Sequence, residues 1–188
     1  MLHSKLRVWA AVTLGACGAL ALIAPDESPA RAPSCTEAKS LPADVGTATA
    51  TTATLCLINR ERTSRGLVRL RANGTLAKAA RGHAADMVAK RYFSHDTPSG
   101  VDFFTRVKAA GYRGRSAGLL VGENLAWGSG VLASPDQIVR AWMRSPGHRA
   151  NILRPGFREI GLGVVSGTPR PDAPIGATYA SAFGRRTS

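Results

Sequence analysis

The stretch Ala141–Leu153, A-W-M-R-S-P-G-H-R-A-N-I-L, decides how the rest of the chain is read. It closes one helix and opens the next. Ser145-Pro146 sets a capping residue before a proline, which suits the first helical position because its missing N–H would go unpaired there anyway. The same grammar stands one helix earlier, in Ser134-Pro135-Asp136-Gln137, where Ser134 is expected to cap and Gln137 to reach back in a capping box. Between the two starts Ile138, Val139, Trp142 and Met143 recur at helical spacing and predict a buried face. His148 rides on the second, short helix, which ends near Leu153.

Two further stretches place polar groups in apolar surroundings. Gly122–Trp127, G-E-N-L-A-W, isolates Glu123, and Tyr92–His95, Y-F-S-H, supplies His95. Neutral imidazole and carboxylate are metal ligands, proton-transfer groups and good partners for each other. His83 is a different case. It lies on or beside the apolar face Leu76, Ala80, Ala84 and Met87 of a helix expected over 75–91, capped by Asn73 or Thr75. It reads as a half-buried structural histidine with a backbone or water partner.

The remaining elements follow in order. Pro33–Thr52 reads as a linker ending at a helix that Thr52 or Thr54 caps, with Leu55 and Ile58 on a narrow apolar face and Gly66 as its stop. Glu61 and Arg65 are spaced for a surface ion pair. A loop at Asp96–Gly100 leads into a helix begun by Ser99 or Asp102 and ended by Gly111. Leu119–Val121 is a short strand, leaving Glu123 in a loop. Ile160, Leu162 and Val164 alternate with Gly161 and Gly163, as in a strand with one buried face. Tyr179, Ser181 and Phe183 form a returning strand before a frayed Arg185-Arg186 tail.

The chain has 188 residues, 44% of them hydrophobic, enough for one domain with a real core and a tail. Lys5 and Arg7, the apolar run Val8–Ala24 and the small-x-small triplet Ala30-Arg31-Ala32 predict a signal peptide over 1–32. The alternative is lipidation at Cys17 within Leu14-Gly15-Ala16-Cys17. Residues 33–50 are then a linker and 51–185 a single domain. The expected location is extracellular, or lipid-anchored on the envelope. Cleavage leaves Cys35 and Cys56, and an exported pair without CxxC spacing reads as a disulfide pinning the tail to the first helix. Net charge is +13, from 25 Lys and Arg against 12 Asp and Glu, and cleavage lowers it by one. That charge allows contact with an anionic cell surface. Without a basic run or an aromatic stacking platform, nucleic acid is not an expected partner.

Taken together the motifs resemble the CAP superfamily of cysteine-rich secretory, antigen 5 and pathogenesis-related proteins, in its bacterial secreted branch. The ordered set is Leu57-Ile58-Asn59-x-Glu61-Arg62, Phe93-Ser94-His95, Gly111-Tyr112, Gly122-Glu123-Asn124-Leu125-Ala126, the stretch Trp142–Leu153, and Ile160-Gly161-Leu162-Gly163. The resemblance implies an α-β-α sandwich, with a small, largely antiparallel sheet between helical layers. It implies a central cleft in which His95, Glu123 and His148 match two histidines and one acid. Asn124 and Arg149 would support them. The family's second acid falls at or near Ser145, which this chain fills with a serine. His95, Glu123 and His148 are thereby a candidate set for a divalent cation, zinc rather than magnesium. Family members bind lipids or sterols, glycans or protein partners. The leading expectation is a secreted, monomeric binding protein whose extracellular ligand is of one of these kinds. A hydrolase is the second, metal-assisted or serine-type. In its serine form His95 or His148 is the base, Glu123 the orienting group and Ser94 or Ser145 the nucleophile. The third is a non-catalytic structural domain in which the three residues simply bond one another.

Overall fold

The computed structural model describes residues 35–113, 118–173 and 175–186. The leader, its cleavage point after Ala32, and Cys17 lie outside them. The central strand is β4 (Gly176–Arg186). It pairs antiparallel with β2 (Leu119–Ser129) on one side and with β3 (Glu159–Ser166) on the other. The two-residue β1 (Arg71–Ala72) adds in parallel to β3, giving the order β1-β3-β4-β2.

Side chains alternate across a strand. Ala177, Tyr179 and Phe183 of β4 therefore enter one core, and Ala180 and Ala182 the other. The first core is closed by α2 (Thr47–Thr63), α5 (Pro135–Arg144) and α6 (Pro146–Ile152). The second is closed by α3 (Gly74–Lys90) and α4 (Phe103–Ala109). This is the expected α-β-α sandwich. Trp142, on the buried side of α5, donates from Nε1 to Leu125 O at 3.0 Å and ties that helix to β2. Cys35 and Cys56 are bonded, closing a separation of 21 residues.

Several local expectations are corrected. The segment expected as linker is helical from Pro42: α1 (Pro42–Val45) precedes α2, which begins at Thr47 rather than Thr52. Ala50 and Ala53 are buried there, and Thr51 and Thr54 return their hydroxyl donors to carbonyls one turn back, at 2.7 Å each. Packing overrides the modest propensity of a threonine-rich run. Neither Ser134 nor Ser145 caps through its side chain. Ser134 Oγ donates to Val131 O at 3.0 Å, and the donor at the start of α5 goes from Asp136 N to Ala38 O of the tail, 2.8 Å away.

β3 is buried on both faces, not one. A Cβ on Gly161 would lie 2.0 Å from Ala77 N, and one on Gly163 2.3 Å from Arg81 N. These glycines are where α3 lies directly on the sheet. The Arg185-Arg186 tail is paired as part of β4, and Arg186 meets Glu159 at 3.1 Å.

The Leu57–Arg62 motif turns out to be structural. Asn59 accepts from Leu70 N at 2.7 Å and donates to Leu70 O at 3.1 Å. The fully buried Arg62 donates to the carbonyls of Val68 and Ile152 at 2.9 and 2.7 Å, which fastens the end of α6 to α2.

Candidate functional site

Glu123 and Asn124 are consecutive on β2, an edge strand of the sheet, and so point to opposite faces. Glu123 is in a strand rather than the loop expected. Its side chain, 3% exposed, turns toward α4. Asp102 caps α4 by accepting from Thr105 N at 2.6 Å, which sets Arg106 one turn into the helix. Arg106 Nη2 donates to Glu123 Oε1 and Oε2 at 2.9 and 3.1 Å. Its Nη1 donates to His95 O at 2.7 Å and Val101 O at 3.1 Å. His95 Nδ1 meets Glu123 Oε2 at 2.8 Å, with the imidazole 57% exposed. One guanidinium thus ties β2, α4 and the loop carrying His95.

That loop is held from beneath by α3. Buried His83 donates from Nε2 to Ser94 O at 2.9 Å, the backbone partner expected for it. Tyr92 OH donates to Asp86 Oδ2 at 2.6 Å.

On the other face, Asn124 Nδ2 donates to His148 O at 2.9 Å. Asn151 Nδ2 donates to Asn124 Oδ1 at 2.9 Å and to Glu123 O at 3.1 Å. A side chain at Gly122 would put its Cβ 2.9 Å from Asn151 Oδ1, so glycine there lets α6 close on the strand. Asn124 and Asn151 therefore position the helix that carries His148.

The two histidines are driven in opposite directions. The hydrogen bond that His95 donates to Glu123 raises its pKa above the ordinary value. Burial, and then the nearby His95, lower that of His148. Burial is also the main cause lowering His83.

Of the residues expected at the site, the side chains of His95, Glu123 and Asn124 belong to this connected arrangement, and His148 joins it through its backbone carbonyl. Arg149 is exposed and takes no part in the network; Arg106 and Asn151 supply the support expected of it. Ser145 does not occupy its hydroxyl with helix donors, and Ser94 Oγ accepts from Asp96 N at 3.2 Å.

The donor set does not fit a three-ligand metal site. Both oxygens of Glu123 are engaged by Arg106, and one also by His95. Among the described residues no three His, Cys, Asp or Glu side chains are grouped to hold one ion. The two imidazoles that remain fall short of the three protein ligands of an open zinc site.

Arg106 went unread in the sequence. A lone glutamate in an apolar stretch calls for a cation, because a buried charge is kept by a partner. With 25 basic residues available, nothing local named which one.

The fold belongs to a family of secretory proteins. Residues 55–180 match the CAP model, the cysteine-rich secretory protein family, and the chain is a member of it. It is 42% identical over 109 residues to the Bacillus subtilis (strain 168) protein YkwD, itself uncharacterized, across 58% of this chain and 40% of that one. The chain therefore spans less than half the length of this relative. Among solved structures it resembles an extracellular protein containing an SCP domain from Bacillus anthracis str. Ames. The TM-score there is 0.60 at 26% identity, over 75% of this chain and 42% of that chain. It also shares its fold with an outer surface protein of Borrelia burgdorferi, with TM-score 0.58 at 22% identity over 71% of this chain and 90% of that one.

Proposed function

We propose that the protein is an exported, non-catalytic binding module whose ligand seats against His95 and His148, with an apolar body lying on Phe93, Val101 and Phe104. The observation that carries this reading is the exposure of three large apolar side chains close to His95 along the chain. Phe93, Val101 and Phe104 are exposed large apolar residues. Phe93 is two positions before His95, Val101 shares the Arg106 Nη1 donor with it, and Phe104 is on the first turn of α4. Exposed apolar side chains gathered beside polar groups mark interaction sites. A ligand with an apolar chain and an accepting or anionic head, of the lipid class, matches that combination better than a glycan does. Export is supported by the signal-like leader, by the disulfide, and by the likeness to a protein described as extracellular.

A hydrolytic reading has one observation in its favour. With Nδ1 turned to Glu123, His95 keeps Nε2 as its proton acceptor, the orientation of a general base. The nucleophile is what this reading lacks: Ser94 Oγ accepts from the Asp96 amide, and among the described residues neither it nor the non-capping Ser145 hydroxyl is hydrogen-bonded to His95 or His148.

The test is saturable uptake of a dansyl-labelled fatty acid by the exported protein, followed by fluorescence. Uptake should be weakened about tenfold or more by Phe93→Ser with Phe104→Ser, a loss of about 1.4 kcal/mol or more for the pair. Uptake that is absent, or unchanged in the double variant, contradicts the lipid reading.

A further inference from the structure

We propose that Arg106 is the resident cation of this cleft, holding Glu123 and the His95 loop in place so that no divalent ion is needed there.

The geometry is that of a structural cation. Arg106 engages four acceptors: Oε1 and Oε2 of Glu123, and the carbonyls of His95 and Val101. These come from β2 and from both ends of the 95–101 loop, while the guanidinium itself is delivered by α4. Cross-linking separate chain segments through oxygen acceptors is what a bound metal does in a small domain. The side chain is 12% exposed, so the charge is sheltered and not merely a surface ion. Its planar fork sends one nitrogen to the carboxylate and the other to two carbonyls, which the single point charge of lysine cannot do. The guanidinium also stands 5.8 Å from the centroid of the Phe103 ring, which adds a cation–π contact. A divalent ion seeking the Glu123 oxygens meets a permanent positive charge already in hydrogen-bonding contact with both.

The substitution predicts a reciprocal behaviour. Removing the guanidinium should free both Glu123 oxygens for another cation, with the His95 imidazole already on one of them.

The experiment is a zinc titration by calorimetry, together with thermal melting with and without chelator, on the exported protein with its disulfide intact. The native protein should show no stoichiometric zinc uptake that depends on Glu123, and chelator should leave its melting temperature unchanged. Arg106→Met should gain zinc uptake roughly tenfold or more tighter than native, and a further Glu123→Gln should abolish the gain. Should Arg106→Met fail to fold, Arg106→Lys gives the second comparison. It keeps the charge and loses the fork, so it should still refuse zinc yet melt below the native protein. The proposal is overturned if native protein takes up stoichiometric zinc and Glu123→Gln removes it. A melting temperature lowered by chelator, or an Arg106→Lys variant as stable as native, would overturn it equally.

Discussion

Arg106 and Glu123 are joined by two contacts from a single nitrogen, at 2.9 and 3.1 Å, across the boundary between α4 and an edge strand of the sheet. Between them the pair holds His95 and the Val101 carbonyl. His95 is bonded to the same carboxylate through its ring and to the same guanidinium through its backbone carbonyl. A change at either member should therefore be felt at His95, whose imidazole is open to solvent.

The first consequence is a split in histidine titration. The folded protein raises the His95 pKa, through its bond to Glu123, and lowers those of His148 and His83, mainly through burial. The ordinary value is about 6.5. NMR titration of the ring protons should place His95 above that value and the other two below it. Glu123→Gln should bring His95 down. Three histidines titrating together would contradict the arrangement.

Stability should follow the same signs. The His95 contribution is fully present below about pH 6.5 and is lost as pH rises through its higher folded pKa. The His83 and His148 contributions are present above about pH 6.5 and are lost as pH falls toward their lower folded values. Denaturant melts from mildly acidic to mildly alkaline pH should show both limbs. His95→Gln should flatten the alkaline one and His83→Gln the acidic one.

Trp142 is almost fully buried and bonds Leu125 O at 3.0 Å. Trp142→Ala should cost about 3–5 kcal/mol. Trp142→Phe should cost less, while still leaving the Leu125 carbonyl unpaired at about 1–3 kcal/mol. Chemical denaturation of the two variants checks the order.

Gly163→Ala should destabilise by at least about 1–3 kcal/mol, because the new methyl lies 2.3 Å from Arg81 N and must lift α3 off the sheet. Gly82→Ala is the control: it sits on α3 itself with nothing near its Cβ, and it should hold or raise stability by about 1 kcal/mol. Equal effects of the two would show that α3 does not pack against β3 as described.

Reduction of Cys35–Cys56 should lower stability by roughly 3 kcal/mol, from the loop of 21 residues that it closes. Melting with and without reductant measures it. An unchanged midpoint would mean that the tail is held by its other contacts, such as Asp136 N to Ala38 O.

Much of this architecture was legible in the residues, and the reasons are physical. Leu76, Ala80, His83 and Met87 keep a helical period, and Asn73 caps them as its side chain suggests. Trp142 and Ile138 share a face for the same reason. What failed were readings that a local pattern cannot decide. Threonine and alanine at 47–53 carry no strong helix signal, so the burial of Ala50 and Ala53 had to decide that segment. Ser134 and Ser145 offer caps, but neither side chain caps its helix, and at α5 the Asp136 amide goes to Ala38 O instead. Gly161 and Gly163 look like the exposed half of an alternating strand until α3 is laid over them. At the site, His95, Glu123 and His148 drew notice because polar residues in apolar stretches need a reason, and Asn124 through the family motif. Arg106 and Asn151 were not, because their roles exist only once α4 and α6 meet β2.

The link between Arg106 and Glu123 is measured most directly by a double-mutant cycle, read by denaturant unfolding of native, Arg106→Met, Glu123→Gln and the double variant. If the two side chains act as one unit that holds His95, the coupling should be about 2 kcal/mol or more, with the double variant little worse than the worse single. Free energies that simply add, to within about 0.5 kcal/mol, would contradict the account.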